Sequence, residues 1–210
     1  MASVEAKGNQ TVREARQARV LAVARQHRWE ERHSRHVTAL ALSLFDQLAP
    51  VHGLAEDARA LLQYTGYLHD IGYEISAKGH HKHSYRIIMA ADWPGFADWE
   101  VQVMAAAARY HRKRLPRNGD RELAELDSER RGWVRLLAGI LRVADGMDRT
   151  HLSMVRRVRA KVCDDRLQLT LVAGIGAELE LYYALEKSDL LAETLGLRVK
   201  ARLEPPAGDV

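Results

Sequence analysis

A single cysteine, Cys163, stands among the 210 residues. An internal disulfide is thereby excluded, and a reducing cytoplasm is the expected compartment. No apolar run reaches 18 residues, and the stretch from Met1 to Gln10 lacks the apolar core of a secretory signal, so neither a membrane span nor export is expected. There is no internal repeat and no low-complexity segment. A strong charge of either sign is missing too: 32 Lys and Arg against 28 Asp and Glu leave +4. That slight basic excess suits an anionic partner and is too weak to indicate nucleic acid. Core-forming material is plentiful, 47% apolar against 29% charged, enough for one sizeable globular domain or a domain with a small appendage.

The pattern along the chain is helical for most of its length. Residues 1–10 are small and polar and are expected to lack structure. Thr11 with Glu14 forms a capping-box pair ahead of an apolar stripe at Val20, Leu21, Val23 and Ala24. From Arg32 to Ala49, Val37, Leu40, Ala41, Leu44 and Leu48 follow helical spacing, with Pro50 and Gly53 as the stop. At about 100° per residue, His33 falls roughly 40° from the centre of that stripe and His36 roughly 100° away. His33 therefore faces inward and His36 lies on the flank. A third helix, Leu54 to Leu68, ends at His69-Asp70. A short helix follows over 84–91, opened by the run His80-His-Lys-His-Ser84. Another starts at a predicted Asp98 cap and ends at Tyr110-His111. A basic loop (112–119), a polar helix and an apolar helix (Trp133 to Val143) lead to Asp145 and Asp148. After residue 150 the period changes to two. Met154 to Val162 and Arg166 to Val172 read as a hairpin around Asp164-Asp165. Glu178 to Tyr182 is predicted as a third strand, 184–195 as a helix closed by Gly196, and 197–203 as a last strand. The tail from Pro205 is expected to be loose. The fold class is mainly α: a helical domain over 11–150 and a small α+β appendage over 151–205. The edge of the small sheet offers a surface for a homodimer.

Tyr64-Thr-Gly-Tyr-Leu-His-Asp-Ile-Gly-Tyr73 is the centre of the chemistry. A neutral imidazole and a carboxylate leaving one helix end together can bind one divalent cation. Further candidate ligands are His33, His36, His80, His81, His83, His111, Asp145 and Asp148. A nitrogen- and oxygen-rich set such as His33, His69, Asp70 and Asp145 suits Mn, Fe, Co or Ni, with Mg if water fills the shell. Without cysteine ligands a structural zinc site is not indicated. Such an ion polarises phosphoryl oxygens and lowers the pKa of bound water towards ~7. Basic neighbours fit a phosphate: Lys82 among the histidines, Arg112 and Arg114 after His111, and Arg149 after Asp148. Lys113 and Arg117 read as solvated loop residues. The basic strand around Arg156 reads equally as a polyanion surface or as a protected sheet edge.

The order His33, His69-Asp70, Asp145 resembles the HD superfamily of metal-dependent phosphohydrolases. Four stretches are more specific: Leu68-His-Asp-Ile-Gly72, Gly79-His-His-Lys-His-Ser84, Ala108-Arg-Tyr-His-Arg112 and Leu141-Arg-Val-Ala-Asp-Gly-Met-Asp148. Over about residues 15–203 the chain is similar to the helical C-terminal domain of the exopolyphosphatase/guanosine pentaphosphate phosphohydrolase family. The resemblance implies one metal on His33, His69, Asp70 and Asp145. It implies a second metal, or the phosphate, on His83 (or His80) and His111. Asp70 and His111 would carry catalysis, with Lys82, His80, Arg112, Arg114 and Arg149 on the substrate. The implied substrate is a phosphorylated small molecule or polyphosphate, hydrolysed at an ester or anhydride. The two-domain members also carry an actin-like domain, and no stretch of this chain matches it. The alternative is a non-catalytic module that binds polyphosphate or a nucleotide.

Overall fold

The computed structural model describes residues 2–117 and 119–206, with side chains from Gln10 onward. Six helices form the main body: α1 (Ala2–Gln26), α2 (Glu31–His52), α3 (Glu56–Leu68), α4 (His80–Ala90), α5 (Asp98–Tyr110) and α6 (Ser128–Gly146). After them come strands β1 (Val155–Cys163) and β2 (Arg166–Ala173), helices α7 (Glu178–Glu186) and α8 (Asp189–Leu195), and strand β3 (Arg198–Glu204). The fold is mainly α with a small α+β end, as the sequence pattern implies. Among the described residues no helix is long and apolar enough to cross a membrane.

Helix boundaries shift where propensity outweighs punctuation. Helix α1 begins at Ala2, so Thr11 is interior and not its cap, and the segment expected to lack structure is helical from Ala2. Met1 and residues 207–210 of the tail lie outside the described residues. Helix α2 runs past Pro50 and stops at Gly53, whose φ of 63° suits glycine and whose N–H reaches the Ala49 carbonyl at 2.9 Å. Helix α4 takes in the whole histidine run from His80 instead of starting at Ser84. The cap of α5 is Ala97, with the Glu100 carboxylate accepting its backbone N–H at 2.8 Å. Asp127 caps α6 by accepting from the Arg130 N–H at 2.8 Å.

The predicted third strand at 178–182 is instead the start of α7. Glu-Leu-Glu-Leu alternates like a strand, yet Glu, Leu and Ala are strong helix formers. Helical spacing sends Glu180 and Ala184 inward, and the Glu180 carboxylate accepts from the Thr150 hydroxyl at 2.6 Å. Helices α7 and α8 form the crossover between β2 and β3, which pair in parallel, while β1 and β2 are antiparallel. On the free side of β1, the Gln47 amide of α2 occupies the Val158 carbonyl and the Ala160 N–H. The inner face of the sheet (Val158, Leu167, Leu169, Leu171) joins the same buried cluster as the helical core.

Helix α6 runs through the middle of that core, buried from Leu136 to Gly146. Gly146 lets α7 approach closely: a Cβ there would lie 2.6 Å from the Tyr183 carbonyl oxygen and 2.8 Å from the Ala184 nitrogen. Replacing Gly146 by Ala is expected to destabilise the fold by about 1–3 kcal/mol through overpacking. Urea unfolding measures this, and an unchanged midpoint would contradict so tight a contact.

Candidate metal centre

Each candidate ligand sits at a helix end, where backbone groups are free to orient it. His33 lies in the first turn of α2, His69-Asp70 just past α3, His80 at the start of α4, His111 just past α5, and Asp145 in the last turn of α6. The four imidazoles share one arrangement. Nδ1 of His33 meets Asp148 Oδ2 at 2.8 Å, and Nδ1 of His69 meets the Gly66 carbonyl at 2.8 Å. Nδ1 of His80 meets the Ala77 carbonyl at 3.2 Å, and Nδ1 of His111 meets the Ala108 carbonyl at 2.7 Å. All four partners are acceptors, so Nδ1 is the donor in each ring and Nε2 is the nitrogen turned to the cluster, the one a neutral ring offers to a metal.

Those Nε2 atoms converge on two carboxylates. Asp70 Oδ2 lies 3.6 Å from His33 Nε2 and 3.4 Å from His69 Nε2. Asp145 Oδ1 lies 3.4 Å and 3.9 Å from the same two nitrogens. The other oxygen of Asp70, Oδ1, lies 3.1 Å from His80 Nε2 and 3.4 Å from His111 Nε2. Two candidate ligand groups result, His33-His69-Asp70-Asp145 and Asp70-His80-His111, each with donor atoms within 4.8 Å of one another, and Asp70 belongs to both. All of these residues are buried. His33 Nε2, His69 Nε2 and Asp70 Oδ1 are buried without a hydrogen-bond partner. Acceptors that face acceptors in a buried pocket repel, and a cation between them removes the repulsion. The donor set therefore fits one or two divalent ions.

The electrostatics agree. Burial opposes the charges on Asp70 and Asp145. For Asp70 the surrounding imidazoles of His69, His80 and His111 outweigh it, and for Asp145 the Lys187 ammonium and His33 do. Both carboxyls stay below the usual carboxylate range. Burial also lowers His69 and His111, so both are neutral at physiological pH. At His33 burial is overcome by Asp145 and Asp148, which raise it to about 10. Without an ion, the positive charge that the carboxylates demand settles on His33.

The other sequence-predicted residues divide. His80, and not His83, joins the second group; with the helix starting at His80, His83 is half-buried and its Cβ lies over Gly72. Asp148 is fully buried beneath His33 and orients it. His36 is half-buried on the flank, against the backbone at Val155. Arg112 stands at the mouth, 3.5 Å from the hydroxyl of Tyr73, whose ring stacks on His80 at 3.9 Å. Arg114 is taken up by Asp120 at 2.8 Å, Arg149 lies over the Tyr183 ring at 4.8 Å, and Lys82 is exposed on the outer side of α4. Two contributors escaped the sequence reading. Lys187, between α7 and α8, meets Asp145 Oδ2 at 2.5 Å and so leaves Oδ1 for the cluster. His151 stacks face to face on His33 at 3.8 Å and is held by Glu30 at 2.9 Å. Lys187 carries no signal in the sequence, where it falls inside the helix expected over 184–195.

Asp148→Ala removes the acceptor that fixes the His33 ring, and divalent-metal affinity is expected to fall about 10–100-fold. Competition against a chelating dye measures it, and an unchanged affinity would contradict the orienting role. Asp120 makes a separate pH prediction. Burial raises its carboxyl, but the Tyr110 hydroxyl at 2.7 Å, the Arg117 N–H at 2.9 Å and Arg114 together bring it below its ordinary value. Its stabilising contribution is thus complete above the unfolded value near 4 and is lost as pH falls through the lower folded one. The stability gap between wild type and Asp120→Asn, from urea unfolding between pH 3 and 7, should be constant above about pH 5 and narrow below it. A gap that widens on acidification would reverse the sign.

Residues 15–194 match the family described as Ppx/GppA phosphatase, domain III. A guanosine-5'-triphosphate,3'-diphosphate pyrophosphatase from Pseudoalteromonas translucida is 33% identical over 89 residues, 41% of this chain and 18% of that protein. The enzyme of the same name from Pseudoalteromonas atlantica is 33% identical over 112 residues, 51% of this chain and 21% of that protein. The chain thus spans about a fifth of the length of these curated relatives. With most of its length matched, helical core and histidine-aspartate cluster included, the chain belongs to the Ppx/GppA phosphatase domain III family.

Proposed function

We propose that this chain is a metal-dependent phosphohydrolase of the HD type, acting on a phosphate ester or anhydride such as a nucleotide, a guanosine polyphosphate or polyphosphate. One observation carries the reading: the Nε2 atoms of four buried histidines and two ionised carboxylates face a common space, with Asp70 dividing its oxygens between two ligand groups. The names of the relatives, pyrophosphatases of a guanosine polyphosphate, agree with it. His33, His69, Asp70 and Asp145 would hold one divalent ion, and Asp70, His80 and His111 a second. When bound, such ions polarise phosphoryl oxygens and make water acidic enough to react near neutral pH.

The protein's own groups do the rest. Asp70, buried and ionised, orients the attacking water and accepts its hydrogen bond. His80 and His111 would hold, with Asp70, either that second ion or the phosphoryl group itself. Arg112 is the one predicted substrate arginine that stands at the mouth, and its guanidinium neutralises phosphate charge without being consumed by an internal ion pair. Lys187 keeps Asp145 charged and fixes which oxygen it presents. Stacked Tyr73 and His151 brace His80 and His33 against rotation.

Elemental analysis of purified protein combined with turnover of a phosphodiester, nucleotide and polyphosphate panel tests the proposal. Bound divalent metal is expected, with an Asp70→Ala loss of ~10²-fold or more in rate. Metal-free protein whose activity is the same in wild type and Asp70→Ala would remove it.

A further inference from the structure

The outer side of the α4–α5 pair carries a second polar site that the metal centre does not use. At about 100° per residue, Lys82, Tyr85, Arg86 and Met89 lie roughly 140–240° around α4 from His80. On α5, Arg109 lies roughly 200° from His111. Together with the turn at Arg121–Leu123 these residues enclose a groove of about 650 Å³, the size of a small-molecule site. Its floor is Arg109, 8% exposed, which gives Nε to Glu122 at 3.2 Å and stands over the Tyr110 ring. Its Nη1 is buried with no hydrogen-bond partner. Lys82, Arg86 and Arg121 stand exposed at the rim, their side chains without a hydrogen bond or ion pair to any other described residue. The two acids of the groove are already engaged, Glu122 with Arg109 and Glu125 with the Gln102 amide at 2.6 Å.

We propose that this groove is a binding site for a small phosphorylated anion of the pyrophosphate type, separate from the metal centre. A buried guanidinium with an unmatched donor is costly, and a small outward turn of Arg109 brings that donor to a phosphate oxygen in the planar fork geometry that arginine prefers. Four cations against two engaged carboxylates call for more than one negative charge. Lys82 and Arg86, one helical turn apart, and Arg121 across the groove contact a ligand longer than a single phosphate. Tyr85 and Met89 line one wall and leave room for an apolar body attached to the anion. An occupant would bridge the two helices that carry His80 and His111. The site does not depend on the hydrolase reading, because neither a metal ion nor turnover enters it.

Calorimetric titration of inorganic pyrophosphate into the full chain, in excess EDTA so that no divalent ion occupies the cluster, tests the groove by itself. One molecule per chain is expected to bind. The double variant Arg86→Glu/Arg121→Glu, both positions exposed and without partners, should weaken binding about tenfold or more while circular dichroism and melting stay unchanged. Arg112→Glu, at the mouth of the cluster, should leave the isotherm in place. Absence of binding, an isotherm indifferent to the double variant, or one abolished by Arg112→Glu would each overturn the assignment.

Discussion

Six ligand groups crowd into one buried space in this fold: four imidazole nitrogens and two carboxylates, with one ammonium, that of Lys187, on the far oxygen of Asp145. Removing a carboxylate from water costs several kcal/mol even after relaxation, and turning lone pairs towards it adds repulsion. Nothing among the described side chains donates to His33 Nε2, His69 Nε2 or Asp70 Oδ1. The arrangement is therefore intelligible as a receptor for positive charge. His33 supplies that charge as a proton when no ion does, and a divalent ion supplies it with ligand geometry.

The helices serve this cluster through their ends more than through their faces. The His69 and His111 rings each bond the carbonyl three residues back, at Gly66 and Ala108, which makes the last turn a ready-made holder for the Nδ1 proton. His80, at the start of α4, does the same with Ala77, whereas His33 in the first turn of α2 is held by Asp148, brought from beyond α6. Asp148 is itself fixed by the Ser153 N–H at 2.7 Å. Lys187 reaches Asp145 because α7 presses on Gly146 at a distance no side chain would tolerate. The small α+β end is thus part of the site's support, and its inner face is continuous with the helical core.

Much of this was legible in the sequence. The apolar stripe of α2 places His33 inward, and the doublet at the end of α3 and Asp145 at the end of α6 follow the same periodicity. What failed did so for identifiable reasons. The histidine run offers His83 as a ligand as readily as His80, but once α4 begins at His80 the helical turn gives His80 to the cluster. Lys82 and Arg114 look like substrate groups in the sequence because they neighbour histidines there. A two-residue offset on a helix turns Lys82 to the opposite face, and Asp120 claims Arg114. The strand expected at 178–182 shows alternation misleading where helix formers occupy every position. Lys187 depends on the docking of α7 against α6, a tertiary fact that no local pattern encodes.

Metal-edge X-ray absorption on the purified, manganese-reconstituted chain reads the central claim most directly, because imidazole rings leave a distinct scattering signature. The expected result is a mixed shell with two or more histidine nitrogens per ion alongside carboxylate and water oxygens, and loss of that nitrogen signal in His33→Ala/His69→Ala. An all-oxygen shell, or a folded chain that retains no ion at all, would contradict it.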